Sequence, residues 1–108
     1  MKKTTSQLVG DLQQWGRDKG LTGEFGTSDL ATQHDKLMEE AKELGDEIHE
    51  QHQNPVAIMD ESADCLVVLI QLLELQGISF DDALAWAHDK ISKRTGTTVG
   101  GTFIKDHK

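Results

Sequence analysis

Apolar positions recur at helical spacing in four stretches, separated by short polar and glycine-rich breaks. Leu8, Leu12 and Trp15 fall at i, i+4 and i+7, which predicts a helix from about Thr5 to Lys19. The segment "GLTGEFGTSD", with three glycines, ends it. A second helix starts near Ser28 as N-cap, with Asp29 in its first turn. Its apolar stripe follows Leu30, His34, Leu37, Ala41, Leu44 and Ile48, and it frays through "HEQHQ". The third helix has Asn54 as N-cap and Pro55 at its first position, runs to about Gln76, and stops at Gly77. The fourth opens at "SFDD", where Ser79 and Asp82 are placed as a capping box, carries Leu84, Ala87 and Ile91, and ends near Gly96. In the tail "TTVGGTFIKDHK", Gly100-Gly101 suits a two-residue hairpin, and an irregular tail is the alternative.

These elements predict an all-α chain, a four-helix-type bundle with a peripheral tail over residues 97–108. At 108 residues, one domain over 1–108 is expected. The run "CLVVLIQLLEL" is apolar almost all round, so the third helix should be central. A chain this short often buries more surface by self-association.

The polar residues change the picture. By helical arithmetic about Leu37, residues Gln33, Lys36, Glu40, Glu43 and Glu47 form one shoulder beside the apolar stripe of the second helix. Glu39, Asp46 and Glu50 point to solvent. On the third helix Ala57, Glu61, Asp64, Val68, Leu72 and Leu75 follow one another at steps of four and three. Glu61 and Asp64 therefore share a face with apolar residues, where carboxylates are costly unless paired or bound to a cation. If the two helices face each other, Glu40 and Glu43 converge on Glu61 and Asp64. An all-oxygen set of this kind suits Mg²⁺, with Mn²⁺ as a second choice. Either acidic pair alone would read as a solvated face, and Glu61 could instead pair with Lys90. Glu47 reads as a solvated shoulder at the cluster's edge.

Net charge is −8, which argues against a nucleic-acid polymer or an anionic membrane as partner. The single cysteine, Cys65, allows no disulfide within the chain and no thiolate zinc cluster. The start "MKKTTSQLVG" lacks the apolar region of a secretory signal, and a cytoplasmic location is expected.

The motif Glu39-Glu40-x-x-Glu43, followed by Glu61-x-x-Asp64, resembles the EExxE…ExxD signature of the MazG-like all-α nucleoside triphosphate pyrophosphohydrolases. "QWGRDKGLT", "TQHDKLMEEAKELGDEI" and "DESADCLVVLIQLLELQGISFDDAL" resemble that family's first, second and third helices, so the likeness spans roughly residues 8 to 96. The resemblance implies Mg²⁺-dependent hydrolysis of NTPs or dNTPs to monophosphate and pyrophosphate. It implies catalytic metal ligands at Glu40, Glu43, Glu61 and Asp64, and dimers or dimers of dimers that complete the bundle. Gln33, Lys36, Lys90 and Trp15 are the candidate substrate-binding residues. Trp15 and Phe25 are also candidates for stacking on a base, with core packing as the alternative. One feature departs from the family: the fourth helix has Lys90, Lys93 and Arg94 but lacks the asparagine of the family's basic-x-x-x-Asn pattern.

Two readings from other classes compete. A carboxylate-bridged di-iron or di-manganese bundle needs Glu-x-x-His pairs on facing helices, and the third helix has none. A non-enzymatic acidic dimeric helical adaptor would explain the charge, but not the acids aligned with apolar residues.

Overall fold

The computed structural model describes residues 2–106. Met1, His107 and Lys108, the last two belonging to the predicted tail, lie outside the described residues.

Helix α1 spans Thr5–Asp18 and opens on a reciprocal capping box. Thr4 Oγ1 accepts from Gln7 N–H (3.1 Å), and Gln7 Oε1 accepts from Thr4 N–H (2.8 Å). The following loop is folded back on itself: Gly16 O accepts from Leu21 N–H (2.9 Å), and Gly20 O from Thr27 N–H (2.9 Å). Gly20 and Gly23 hold φ of 77° and 80°, a region that glycine enters without strain.

Helix α2 spans Leu30–Ile48, and its N-cap is Asp29, not Ser28. Asp29 sits in extended backbone and accepts from Thr32 N–H (2.7 Å), whereas the Ser28 hydroxyl accepts from Gln33 Nε2 (2.9 Å). Helix α3, Pro55–Leu75, starts at Asn54 as the sequence predicts, and Gly77 (φ 70°) follows its C-cap. Helix α4 spans Phe80–Ser92. Ser79 Oγ accepts from Asp82 N–H (3.1 Å), but only this half of the expected box forms, since aspartate is one methylene shorter than glutamate. The helix ends at Ser92, short of Gly96, because Gly96 already begins a hairpin. Strands β1 (Gly96–Val99) and β2 (Thr102–Lys105) pair antiparallel, with Val99 opposite Thr102 across Gly100-Gly101. Both turn glycines have positive φ, as a two-residue hairpin turn requires. The described residues are thus mostly helical, four helices with a short two-stranded hairpin.

Helix α3 is the centre: α1, α2 and α4 each pack on it, and α1 and α2 do not pack on each other. Among the described residues, no helix is long and apolar enough to cross a membrane. The α1–α3 contact turns on one polar residue. Gln71, 1% exposed, donates from Nε2 to Leu12 O (3.0 Å), and its amide lies directly over Gly16. A β-carbon at Gly16 would overlap Gln71 Oε1, and moving the amide aside would break its hydrogen bond to Leu12 O. At Gly10, in the same helix, a β-carbon would meet nothing within 4 Å. Gly10→Ala is therefore expected to stabilise the protein by about 0.5–1 kcal/mol, from helix propensity alone. Gly16→Ala should destabilise by about 1–3 kcal/mol, because overlap in a packed contact outweighs that gain. Thermal melts of both variants check the opposite signs.

The orientation of α2 differs from the one its apolar stripe predicts. Gln33 and Glu40 are buried, while His34 and Ala41 are exposed, and so are Leu30 and Ile48 at 46% and 40%. The helix presents its acidic shoulder to α3 and leaves much of its apolar stripe outside. The face that α2 turns to α3 meets Glu61 and Asp64 there, so four carboxylates share the contact.

Much apolar surface is left uncovered. The solvent-accessible surface is 8339 Å². A compact monomer of 12.0 kDa would show about 6,000 Å². The Cα radius of gyration, 16.4 Å, exceeds the roughly 13 Å of a compact chain of this length.

Candidate metal centre

Glu40 and Glu43 stand one turn apart on α2, and Glu61 and Asp64 one turn apart on α3. The packing of the two helices brings them together: one carboxylate oxygen from each lies within 4.8 Å of all the others. Glu40 is buried, Glu61 half-buried, and Glu43 and Asp64 open to solvent. Lys36, one turn before Glu40, donates to Glu40 Oε1 (3.2 Å) and Glu39 Oε1 (3.4 Å). Among the described residues, Glu40 Oε2 and Glu61 Oε2 are buried and have no hydrogen-bond partner. Glu39 is exposed and Glu47 half-buried, and neither belongs to the cluster.

The electrostatics follow from this crowding. Glu43 binds its proton more tightly than an ordinary glutamate, first because in its protonated form it donates to Glu40 and then through the Glu40 charge. Glu61 is shifted the same way, chiefly by burial, then by the charges of Asp64, Asp60 and Glu40. Lys36 holds its proton more tightly because Glu40 and Glu39 accept from it. Burial also pushes up the thiol of Cys65, which argues against a reactive thiolate there.

One ammonium cannot balance four carboxylates, and two buried oxygens remain without partners. A hard divalent cation would answer both shortfalls, since its preferred ligands are carboxylate oxygens. The residues present therefore fit such an ion. Protons compete with the ion for the same oxygens. Because Glu43 and Glu61 are shifted above 4.5, that competition sets in as pH falls toward the raised values. The apparent Kd for Mn²⁺, measured by calorimetry, is expected to rise about tenfold or more between roughly pH 7.5 and pH 5. An affinity flat across that range would refute shared carboxylate ligation.

A cleft of about 500 Å³ opens beside the cluster. Leu12 and Trp15 of α1 form one wall, Thr32, Gln33 and Lys36 of α2 the other, and Val67, Val68 and Gln71 of α3 the floor. Glu40 and Asp64 close one end. Trp15 is 42% exposed, so its indole is a cleft wall as much as a core group. The structure thus brings Gln33, Lys36 and Trp15 together with the acidic cluster. It does not bring Lys90 there: Lys90 lines a separate depression of about 170 Å³ with Lys93, Arg94 and Lys105. Phe25 is 85% exposed on the loop after α1 and lines neither.

The MazG nucleotide pyrophosphohydrolase domain matches residues 29–99. The chain belongs to that family. No curated protein and no solved structure matches it. The match runs from the α2 N-cap through β1, so the MazG stretch carries all four clustered acids and two sides of the cleft. The α1 wall, with Leu12 and Trp15, lies before it. Two polar cleft residues escape sequence reasoning. Gln71 sits inside an apolar run, which is itself a signal, since a polar residue there must find a partner. Thr32 carries no distinguishing signal.

Proposed function

We propose that the protein hydrolyses nucleoside or deoxynucleoside triphosphates to monophosphate and pyrophosphate with Mg²⁺, as a homodimer or dimer of dimers that clears the nucleotide pool. The observation that carries this reading is the pair of buried, unpartnered oxygens of Glu40 and Glu61 inside a four-carboxylate cluster at the end of a cleft. Membership of the MazG family gives the reaction class. Glu40, Glu43, Glu61 and Asp64 would hold the metal, with Mn²⁺ as a substitute. When bound, the ion supplies charge neutralisation and Lewis acidity toward the phosphate oxygens.

The chain's own residues do the rest. Lys36, at the mouth between cleft and cluster, binds a phosphate oxygen and gives up part of its contact with Glu40. Trp15 and the aliphatic walls hold the base and sugar and keep water from that side. Water attacks the α-phosphorus, the bond to the α–β bridging oxygen breaks, and pyrophosphate leaves with that oxygen. The water's proton passes to a carboxylate oxygen of the cluster.

Product analysis tests this. The purified protein is incubated with each common NTP and dNTP, with Mg²⁺ and with EDTA. Monophosphate and pyrophosphate are expected only with metal. Orthophosphate would mean that a different bond is cut. Intact nucleotides together with no Mg²⁺ binding would leave a non-enzymatic acidic adaptor as the better reading.

A further inference from the structure

Resting on the reading just given, we infer that Gln33 selects the base: its Oε1 accepts from the exocyclic amino group, favouring cytosine and adenine over uracil and hypoxanthine. Gln33 and Glu40 lie seven residues apart on the same helix, about 10 Å along its axis. That is the reach of a nucleoside monophosphate laid from its α-phosphate to the edge of its base. With the phosphate at the Glu40 end, the base comes to rest between Trp15 and Gln33.

Few polar atoms there are free to read it. The Gln71 amide is spent on Leu12 O, and its Oε1 is sealed under Gly16. Thr32 is exposed at the rim. Gln33 is 6% exposed yet lines the cleft. Its Nε2 donates to Ser28 Oγ (2.9 Å), and Ser28 is in turn held by its N–H to Leu21 O (3.2 Å). In this arrangement Nε2 faces Ser28 and Oε1 is left toward the cleft. Among the described residues nothing donates to Gln33 Oε1, and the atom is not sealed from the cleft. What remains is a nine-tenths-buried acceptor whose natural complement is an N–H donor. A keto oxygen in that place would set two acceptors against each other and leave both unpaired, which a buried site rejects.

The test compares matched pairs differing at that one group, dCTP against dUTP and dATP against dITP. kcat and KM are measured for the wild type, Gln33→Leu and Gln33→Glu. The wild type is expected to favour the amino member by about tenfold or more in kcat/KM. Gln33→Leu should collapse that ratio toward one, mainly through KM. Gln33→Glu keeps an acceptor and should keep the preference. Should Gln33→Leu not fold, Ser28→Ala frees the amide from its anchor and is expected to lower the ratio. A wild type with no preference, or with a keto preference, overturns the inference, and so does a ratio unmoved in Gln33→Leu. Either result leaves the hydrolytic function standing. A wild type that turns over no nucleotide overturns both.

Discussion

Glutamine in place of Glu61 is expected to cut Mg²⁺-dependent nucleotide hydrolysis by about 10³-fold or more, while the metal-free protein melts at a higher temperature than the wild type. Both effects come from one carboxylate. Glu61 Oε2 is buried without a partner among Glu40, Glu43 and Asp64. Its anionic form is opposed by burial first and then by its acidic neighbours. A group whose proton affinity is raised by folding stabilises the fold when protonated, and that stability is lost as pH rises through the raised value. At neutral pH, without metal, Glu61 is therefore a burden. Glutamine has the same shape and no charge, so it removes the burden and the metal ligand together. Metal-free wild type should accordingly melt higher near pH 5 than near pH 8, and the variant should show a smaller difference. Added Mg²⁺ should raise the wild-type melting temperature near pH 8 and leave the variant nearly unmoved. Retained hydrolysis in Glu61→Gln would remove it from the ligand set. A lower melting point in EDTA would mean that Glu61 is paired in a way the cluster does not show. Asp64→Ala should lose activity similarly.

Much of this was legible before any coordinates. The Asn54-Pro55 start and Gly77 stop of α3 act through local backbone chemistry, which the chain carries wherever it goes. The convergence of Glu40 and Glu43 on Glu61 and Asp64 was legible because acids at steps of four and three beside Ala57, Val68 and Leu72 must share their face. The rotation of α2 was not. Its periodicity marks Leu30, His34, Ala41 and Ile48 as the inward face, and helical spacing cannot reveal that one chain alone leaves that stripe open. The Asp29 cap was missed because Ser28 and Asp29 are both good caps, and Gln33 takes the serine. The Gln71 contact depends on Gly16 lying opposite it, which only the packing of α1 on α3 decides. Lys90 is a similar case, since the hairpin gathers it toward Lys105, a pairing that spacing on α4 cannot express.

A second uncovered stripe, on α3, leads to the other large expectation: at micromolar concentration the protein sediments as a dimer or larger even-numbered assembly, and Leu66→Asp breaks it. Per chain, about 2,300 Å² is exposed beyond the compact expectation. A standard interface buries only about 800 Å² per partner. On α3, Met59, Ala63 and Leu66 recur at steps of four and three, with Met59 66% and Leu66 41% exposed. They lie on the helix that already forms the centre of the chain, so a second copy laid there would extend the existing core. An aspartate at 66 would have to be desolvated without a partner, at a cost of several kcal/mol. Its melting temperature should fall by about 10 °C or more, and its sedimentation should shift toward the monomer. The wild-type melting temperature should rise with protein concentration, as it must when association is part of folding. A monomer whose melting point ignores both concentration and Leu66→Asp would refute the assembly. Salt separates the two forces that could drive it. Each chain carries a net charge of −8, so joining like-charged copies is opposed at long range and screening should strengthen association. If salt weakened it instead, the contact would rest on ion pairs, and the apolar stripe of α3 would not be its seat.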